Sequence, residues 1–113
     1  MILTDKKISV IAPVFNESEV IEEFYHRMKK VLEDLAPAYE IIFIDDGSLD
    51  NTLDKIKFLR SKNANIKIIS FSRNFGHAAA ISAGLEYAAG DAALVIDADL
   101  QDPPEMLREF IKK

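Results

Sequence analysis

Residues 8–13 (ISVIAP) and 39–44 (YEIIFI) are short apolar runs rich in β-branched side chains. Between them, Val20, Ile21, Phe24, Met28, Val31, Leu32 and Leu35 recur at three- and four-residue spacing. That spacing is the stripe of an amphipathic helix, whereas the flanking runs have strand length and composition. Asn16 or Ser18 is placed to cap the helix start, and Pro37 follows its end. Strand–helix–strand with short connections predicts a right-handed crossover and parallel pairing.

The alternation continues outward from this unit. A second helix is expected over residues 51–61, with Leu53, Ile56 and Leu59 inward and Lys55, Lys57 and Arg60 outward. A third strand covers residues 66–71 (IKIISF), and an Ala-rich helix able to pack closely runs from about 77 to 89, with Gly90 as its stop. The fourth strand is residues 92–96 (AALVI), and a fourth helix opens at Pro103–Pro104 and continues to Lys113. Near-continuous apolar strands fit a sheet covered on both faces. The expectation is one α/β domain over residues 1–113, a Rossmann-like parallel sheet of about four strands with flanking helices. No repeat, low-complexity tract or linker interrupts it.

The 113 residues are 49% hydrophobic, enough for a real core. Lys plus Arg is 14 and Asp plus Glu is 19, a net charge of −5. This argues against a nucleic-acid binder, whose affinity comes from clustered cationic side chains. There is no cysteine, hence no disulfide and no thiolate metal ligand. No apolar run approaches the ~20 residues that span a bilayer, and the N-terminus lacks an apolar signal region. These features predict a cytoplasmic chain.

In parallel sheets, ligands sit beyond the carboxyl ends of the strands. Those ends read Val14-Phe15-Asn16-Glu17, Asp45-Asp46-Gly47-Ser48, Ser72-Arg73-Asn74-Phe75-Gly76-His77 and Asp97-Ala98-Asp99-Leu100-Gln101-Asp102. A packed core does not require such polar clustering. In extended backbone Asp97 and Asp99 point the same way, and two converging carboxylates call for a cation or a proton between them. Hard oxygen donors favour Mg²⁺ or Mn²⁺ over Zn²⁺, and Gln101 continues the alternation. The plain alternative is that Asp99 or Asp102 caps the following helix. Gly47 permits positive φ, and Asp46 can accept hydrogen bonds from a base or ribose, or can belong, with Asp45, Ser48 and Asp50, to a turn that caps the second helix. An anionic ligand needs local positive charge, which a metal, Arg73 and the amide end of the third helix can supply. Arg73 equally suits a surface ion pair, and His77 a bare helix start. Glu17 can be a first-turn acid, Phe15 core or pocket wall, and Phe71 and Phe75 packing residues. The cationic residues of the first two helices suit solvated faces.

The stretches APVFNE (12–17), IDDGSLDNT (44–52), RNFGHAAAISAG (73–84) and DADLQDPPE (97–105) together resemble the inverting family-two glycosyltransferases of GT-A fold. Within that family, DADLQDPPE and RNFG are similar to the polyprenyl-phosphate sugar transferases, the dolichol-phosphate mannosyltransferase and bactoprenol glucosyltransferase group. The resemblance covers nearly the whole chain. It implies that Pro13, Phe15 and Glu17 line the nucleotide site, that Asp46 contacts the base, that Arg73 lies near the donor, and that Asp97, Asp99 and Gln101 surround the metal bridging the diphosphate. It further implies that residues 1–113 are the nucleotide-sugar-binding part, with acceptor-side and catalytic residues, and any membrane helices, beyond Lys113.

The implied donor is a UDP- or GDP-sugar, and the implied acceptor of the full-length protein is a lipid phosphate at the cytoplasmic membrane face. A saccharide acceptor and a non-catalytic α/β module are the alternatives. Self-association through a sheet face left open after Lys113 is a further expectation. A dehydrogenase module is excluded by the lack of G-x-G-x-x-G after the first strand, and a P-loop enzyme by the lack of G-x-x-x-x-G-K.

Overall fold

The computed structural model describes residues 6–36, 38–101 and 103–107. In chain order it contains β1 (Ile8–Val14), α1 (Ile21–Leu35), β2 (Tyr39–Asp45), α2 (Thr52–Lys62), β3 (Ile66–Ser70), α3 (His77–Tyr87) and β4 (Ala92–Val95), with a short 3₁₀ turn at Pro104–Met106. All strand pairs are parallel, in the order β3-β2-β1-β4. β1 pairs with β2 from Ile8↔Tyr39 to Val14↔Asp45, and with β4 from Ile8↔Ala92 to Ile11↔Val95. The chain steps outward from β1 through β2 to β3, then crosses back to lay β4 on the other side of β1. The order therefore reverses at β1, where connections leave in opposite directions and open a crevice.

Alternation of side chains divides the core into two layers. Val10, Ala12, Val14, Ile41 and Phe43 join Phe24, Met28, Leu32, Ile56 and Leu59 on the face covered by α1 and α2. Ile11, Ile42 and Ile44 join Ala80 on the face covered by α3. A Cβ on Gly84 would fall 2.4 Å from Ile11 Cγ2 and 2.8 Å from Ile44 Cδ1. The expected close approach of α3 thus depends on that glycine. β1 and β2 are buried throughout, but β3 and β4 are largely exposed or half-exposed. Cover on both faces holds for the two inner strands only, because β3 and β4 are the outer strands of this sheet.

Several local expectations are corrected. Neither Asn16 nor Ser18 caps α1 with its side chain. Asn16, at φ 54°, turns to the second loop instead: its Oδ1 accepts Leu49 N–H at 2.7 Å and its own N–H donates to Ser48 Oγ at 2.9 Å. At α2, Asp50 accepts the Thr52 N–H at 3.0 Å, whereas Asp45 is buried and its Oδ1 has no hydrogen-bond partner among the described residues. Gly90 does not stop α3 by positive φ. It is needed because a Cβ there would sit 2.5 Å from Ser9 Oγ. Lys55 is not merely solvated: its Nζ donates to Ser18 O at 2.6 Å and lies 3.4 Å from Glu22. Arg27 holds Glu105 through two nitrogens. The helix expected to run to Lys113, the Asp102 cap and Pro37 lie outside the described residues.

A buried acid sits at the amino end of the sheet. Glu40 Oε2 accepts Ser9 Oγ and Ala89 N–H, each at 2.6 Å, and Lys67 Nζ lies 2.6 Å from Oε1. Burial pushes this carboxyl upward, but the bonds from Lys67, Ser9 and Ala89 outweigh it and hold the pKa at about 2.

Candidate functional site

A cleft of about 320 Å³ opens at the carboxyl ends of β1, β2 and β4, lined by Pro13, Val14, Phe15, Glu17, Asp46, Asn74, Gly76, His77, Asp97 and Asp99. Six of the expected residues meet there: Pro13, Phe15, Glu17, Asp46, Asp97 and Asp99. Arg73 and Gln101 are not among the lining residues. The cleft lies where the strand order reverses, as the topology requires.

Asp46, the residue just past β2, is 5% exposed. Its Oδ1 accepts Phe75 N–H at 2.7 Å, and its Oδ2 accepts Gly76 N–H and Asn74 Nδ2–H at 3.1 Å each. The carboxylate is therefore committed to the loop before α3, a role that spacing along the chain did not disclose. Gly47 follows at φ 75°, and a Cβ there would lie 2.3 Å from the carbonyl carbon of Arg73 and 2.5 Å from Asn74 N. Only glycine allows the two loops to touch backbone to backbone. Asp46 takes the N–H groups of Phe75 and Gly76, which precede the first helical residue of α3, His77.

Asp97 and Asp99 follow β4, which ends at Val95. Ala98 between them is 1% exposed and belongs to the core, so its neighbours on both sides are left to the cleft. The segment is a turn rather than the extended backbone expected, and Leu100 holds φ 67° while packing on the core. Asp99 Oδ1 accepts Gln101 N–H at 3.0 Å, closing the turn, and Gln101 itself is exposed. His77 is not a bare helix start: its Nε2 lies 2.8 Å from Asp97 Oδ1 inside the cleft.

Partial burial pushes the Glu17 carboxyl above its ordinary value, and the charges of Asp99, Asp50 and Asp97 push the same way. Arg73 does not offset them. Its guanidinium stacks on the exposed Phe75 ring at 4.6 Å, and among the described residues it forms no ion pair with a carboxylate. Phe75 in turn meets Phe71 edge-on at 5.5 Å. The cleft thus carries four acidic side chains and no Lys or Arg.

Asp97 and Asp99 offer hard oxygens of the kind Mg²⁺ and Mn²⁺ prefer. Among the described residues, no three His, Cys, Asp or Glu side chains converge as a ready cage. That donor set fits a small hard cation held by one or two carboxylates and completed by phosphate oxygens and water.

The chain is similar to known proteins over almost its whole length. Over 105 residues the chain is 49% identical to the uncharacterized glycosyltransferase YkcC of Bacillus subtilis (strain 168), covering 93% of this chain and 32% of that protein. Over 107 residues it is 45% identical to a bactoprenol glucosyl transferase of Shigella phage SfV, covering 95% and 35%. It spans about a third of the length of these relatives. The mannosyltransferase PcManGT of Pyrobaculum calidifontis, solved with GDP-Man and Mn²⁺, superposes with a TM-score of 0.82 at 22% identity, over 96% of this chain and 32% of that one. S. aureus TarS 1-349 in complex with UDP-GlcNAc gives 0.70 at 28% identity, over 91% and 31%. Both neighbours share the GT-A-like, Rossmann-type sheet. The model of the family described as glycosyl transferase family 2 matches residues 9–113. Matched over almost its whole length, the chain belongs to glycosyl transferase family 2.

Proposed function

We propose that this chain binds a UDP- or GDP-sugar through a divalent cation, as the donor-binding part of a glycosyltransferase. In the full-length protein a hexose passes with inversion to a polyprenyl phosphate at the cytoplasmic face of the membrane. The observation that carries the donor reading is the charge of the cleft. Glu17, Asp46, Asp97 and Asp99 line it without a Lys or Arg, in a chain of net −5. A diphosphate enters such a cleft only with a cation.

Asp97 and Asp99 would hold Mg²⁺ or Mn²⁺, which supplies Lewis-acid neutralisation of the leaving diphosphate. Pro13 and Phe15 form the wall beside the nucleoside, and Phe15 is 41% exposed, so its ring is open to contact. Glu17 borders the same pocket and raises its negative potential. Asp46 reaches the donor through the loop it fixes. No side chain here is assigned as a base. The 45% identity to a bactoprenol glucosyl transferase favours a lipid-phosphate acceptor, and a phosphate monoester with a second pKa of about 6 is ionised near neutral pH. Among the described residues no helix is long and apolar enough to cross a membrane.

Calorimetric titration with UDP and with GDP, with and without Mn²⁺, tests this reading. Binding of one nucleotide should require the cation, and Asp99→Ala should remove that requirement's effect. Equal binding with and without Mn²⁺ overturns it.

A further inference from the structure

We propose that His77 is a positioning residue for Asp97, fixing that carboxylate in the orientation from which it meets the donor-bound cation. The inference rests on the cation-dependent donor reading given above. Three observations carry it. His77 and Asp97 line the same cleft, and Nε2 of the one lies 2.8 Å from Oδ1 of the other. An ionised carboxylate can only accept a hydrogen bond, so Nε2 carries the proton and donates. Asp97 Oδ1 is thereby engaged, and Oδ2 is left for the cation.

The backbone that leads to His77 is itself held in place. Asp46 ties the N–H groups of Phe75 and Gly76, the two residues before His77. Gly76, at φ 105°, then turns the chain into α3 with His77 as its first helical residue. The acid after β2 thus places the imidazole that aims the acid after β4. Partners of this kind, one bond removed from a ligand, change metal affinity by about 10–100-fold when lost.

The experiment titrates Mn²⁺ into the protein saturated with UDP or GDP, using calorimetry and the electron paramagnetic resonance signal of free Mn²⁺. His77→Ala should weaken Mn²⁺ binding about 10–100-fold. His77→Gln, which returns an N–H donor at similar reach, should recover most of it. Thermal unfolding of both variants should match the parent, separating positioning from folding. In the parent, the ¹⁵N shifts of His77 should report a protonated Nε2. Unchanged Mn²⁺ affinity in His77→Ala overturns the inference and leaves the donor reading standing. Equal weakening in the Ala and Gln variants overturns it too. Absence of any Mn²⁺-dependent nucleotide binding in the parent overturns both.

Discussion

Asp46 Oδ1 accepts the Phe75 backbone N–H at 2.7 Å, so the acid just past β2 shapes the loop that leads into α3. Asp46→Ala strips the Phe75 and Gly76 N–H groups of their acceptor and leaves Asn74 Nδ2 only the Asp46 backbone carbonyl. These donors belong to exposed and half-exposed residues, where water replaces part of what is lost, so stability should fall by about 1–3 kcal/mol in all. Asp46→Asn keeps one acceptor oxygen and should cost less. Denaturant midpoints for the two variants, at unchanged slope, check the order. An Ala variant as stable as the parent would contradict the bonding described.

Gly47 should tolerate nothing larger. Its φ of 75° costs an L-residue about 1–2 kcal/mol, and the overlap with Arg73 and Asn74 is with backbone, which has little room to yield. Gly47→Ala is expected to lose more than about 2 kcal/mol and to weaken nucleotide binding, because the loop displaced is the one that places His77. Thermal denaturation and calorimetry on the same preparation would show both losses.

Acid should expose the Glu40 network. Its pKa is about 2 in the folded chain against an ordinary 4.5. A depressed folded value means that the unfolded chain binds the proton first. The stabilisation is therefore complete above pH ~4.5 and is lost as pH falls toward 2. The difference amounts to about 3 kcal/mol as an order of magnitude. Glu40→Gln should flatten the stability profile across that window. A variant with the parent's acid slope would show that other carboxylates carry it.

The bidentate pair between Arg27 and Glu105 is expected to matter little. Both side chains are partly exposed, at 35% and 47%, and exposed pairs contribute about 0–1 kcal/mol. Arg27→Ala should change stability by less than about 1 kcal/mol, with the difference shrinking at high salt. A larger effect, insensitive to salt, would indicate that packing of the arginine stem dominates.

Gly84→Ala sets two effects against each other. Helix propensity favours alanine by about 1 kcal/mol, while overpacking against Ile11 and Ile44 costs about 1–3 kcal/mol. Ile11 Cγ2 sits on a stiff β-branch, so the clash should win and stability should fall. Ile11→Ala in the same chain should relieve it, giving a double variant more stable than the sum of the singles by at least about 0.5 kcal/mol.

The strands and helices were legible because their signals are local. Continuous apolar runs marked β1 and β2, and the row from Ile21 to Leu35 marked α1. The convergence of Glu17, Asp97 and Asp99 was legible from topology, since parallel strands bring their carboxyl ends together. What stayed hidden depended on partners remote in sequence. Asn16 reads as a cap until Leu49 comes within reach of its side chain, and the bonds of Asp46 to residues 74–76 leave no sign along the chain. His77 reads as a plain helix start because nothing near it in sequence announces Asp97. Arg73 stacks on the neighbouring Phe75 ring, a contact that its polar surroundings in sequence do not announce. Glu40 is concealed in an apolar strand, where a lone acid looks like an edge position rather than a buried node.

The seating of α3 on bare glycine has a wider consequence. Gly84 is seven residues from His77, about two helical turns along the same rigid rod. A bulkier side chain there would lever the rod's front end and draw the imidazole out of register with its carboxylate. Surveys of activity loss would then flag a glycine with no chemistry of its own, and damage to the foundation would be mistaken for damage to the machinery.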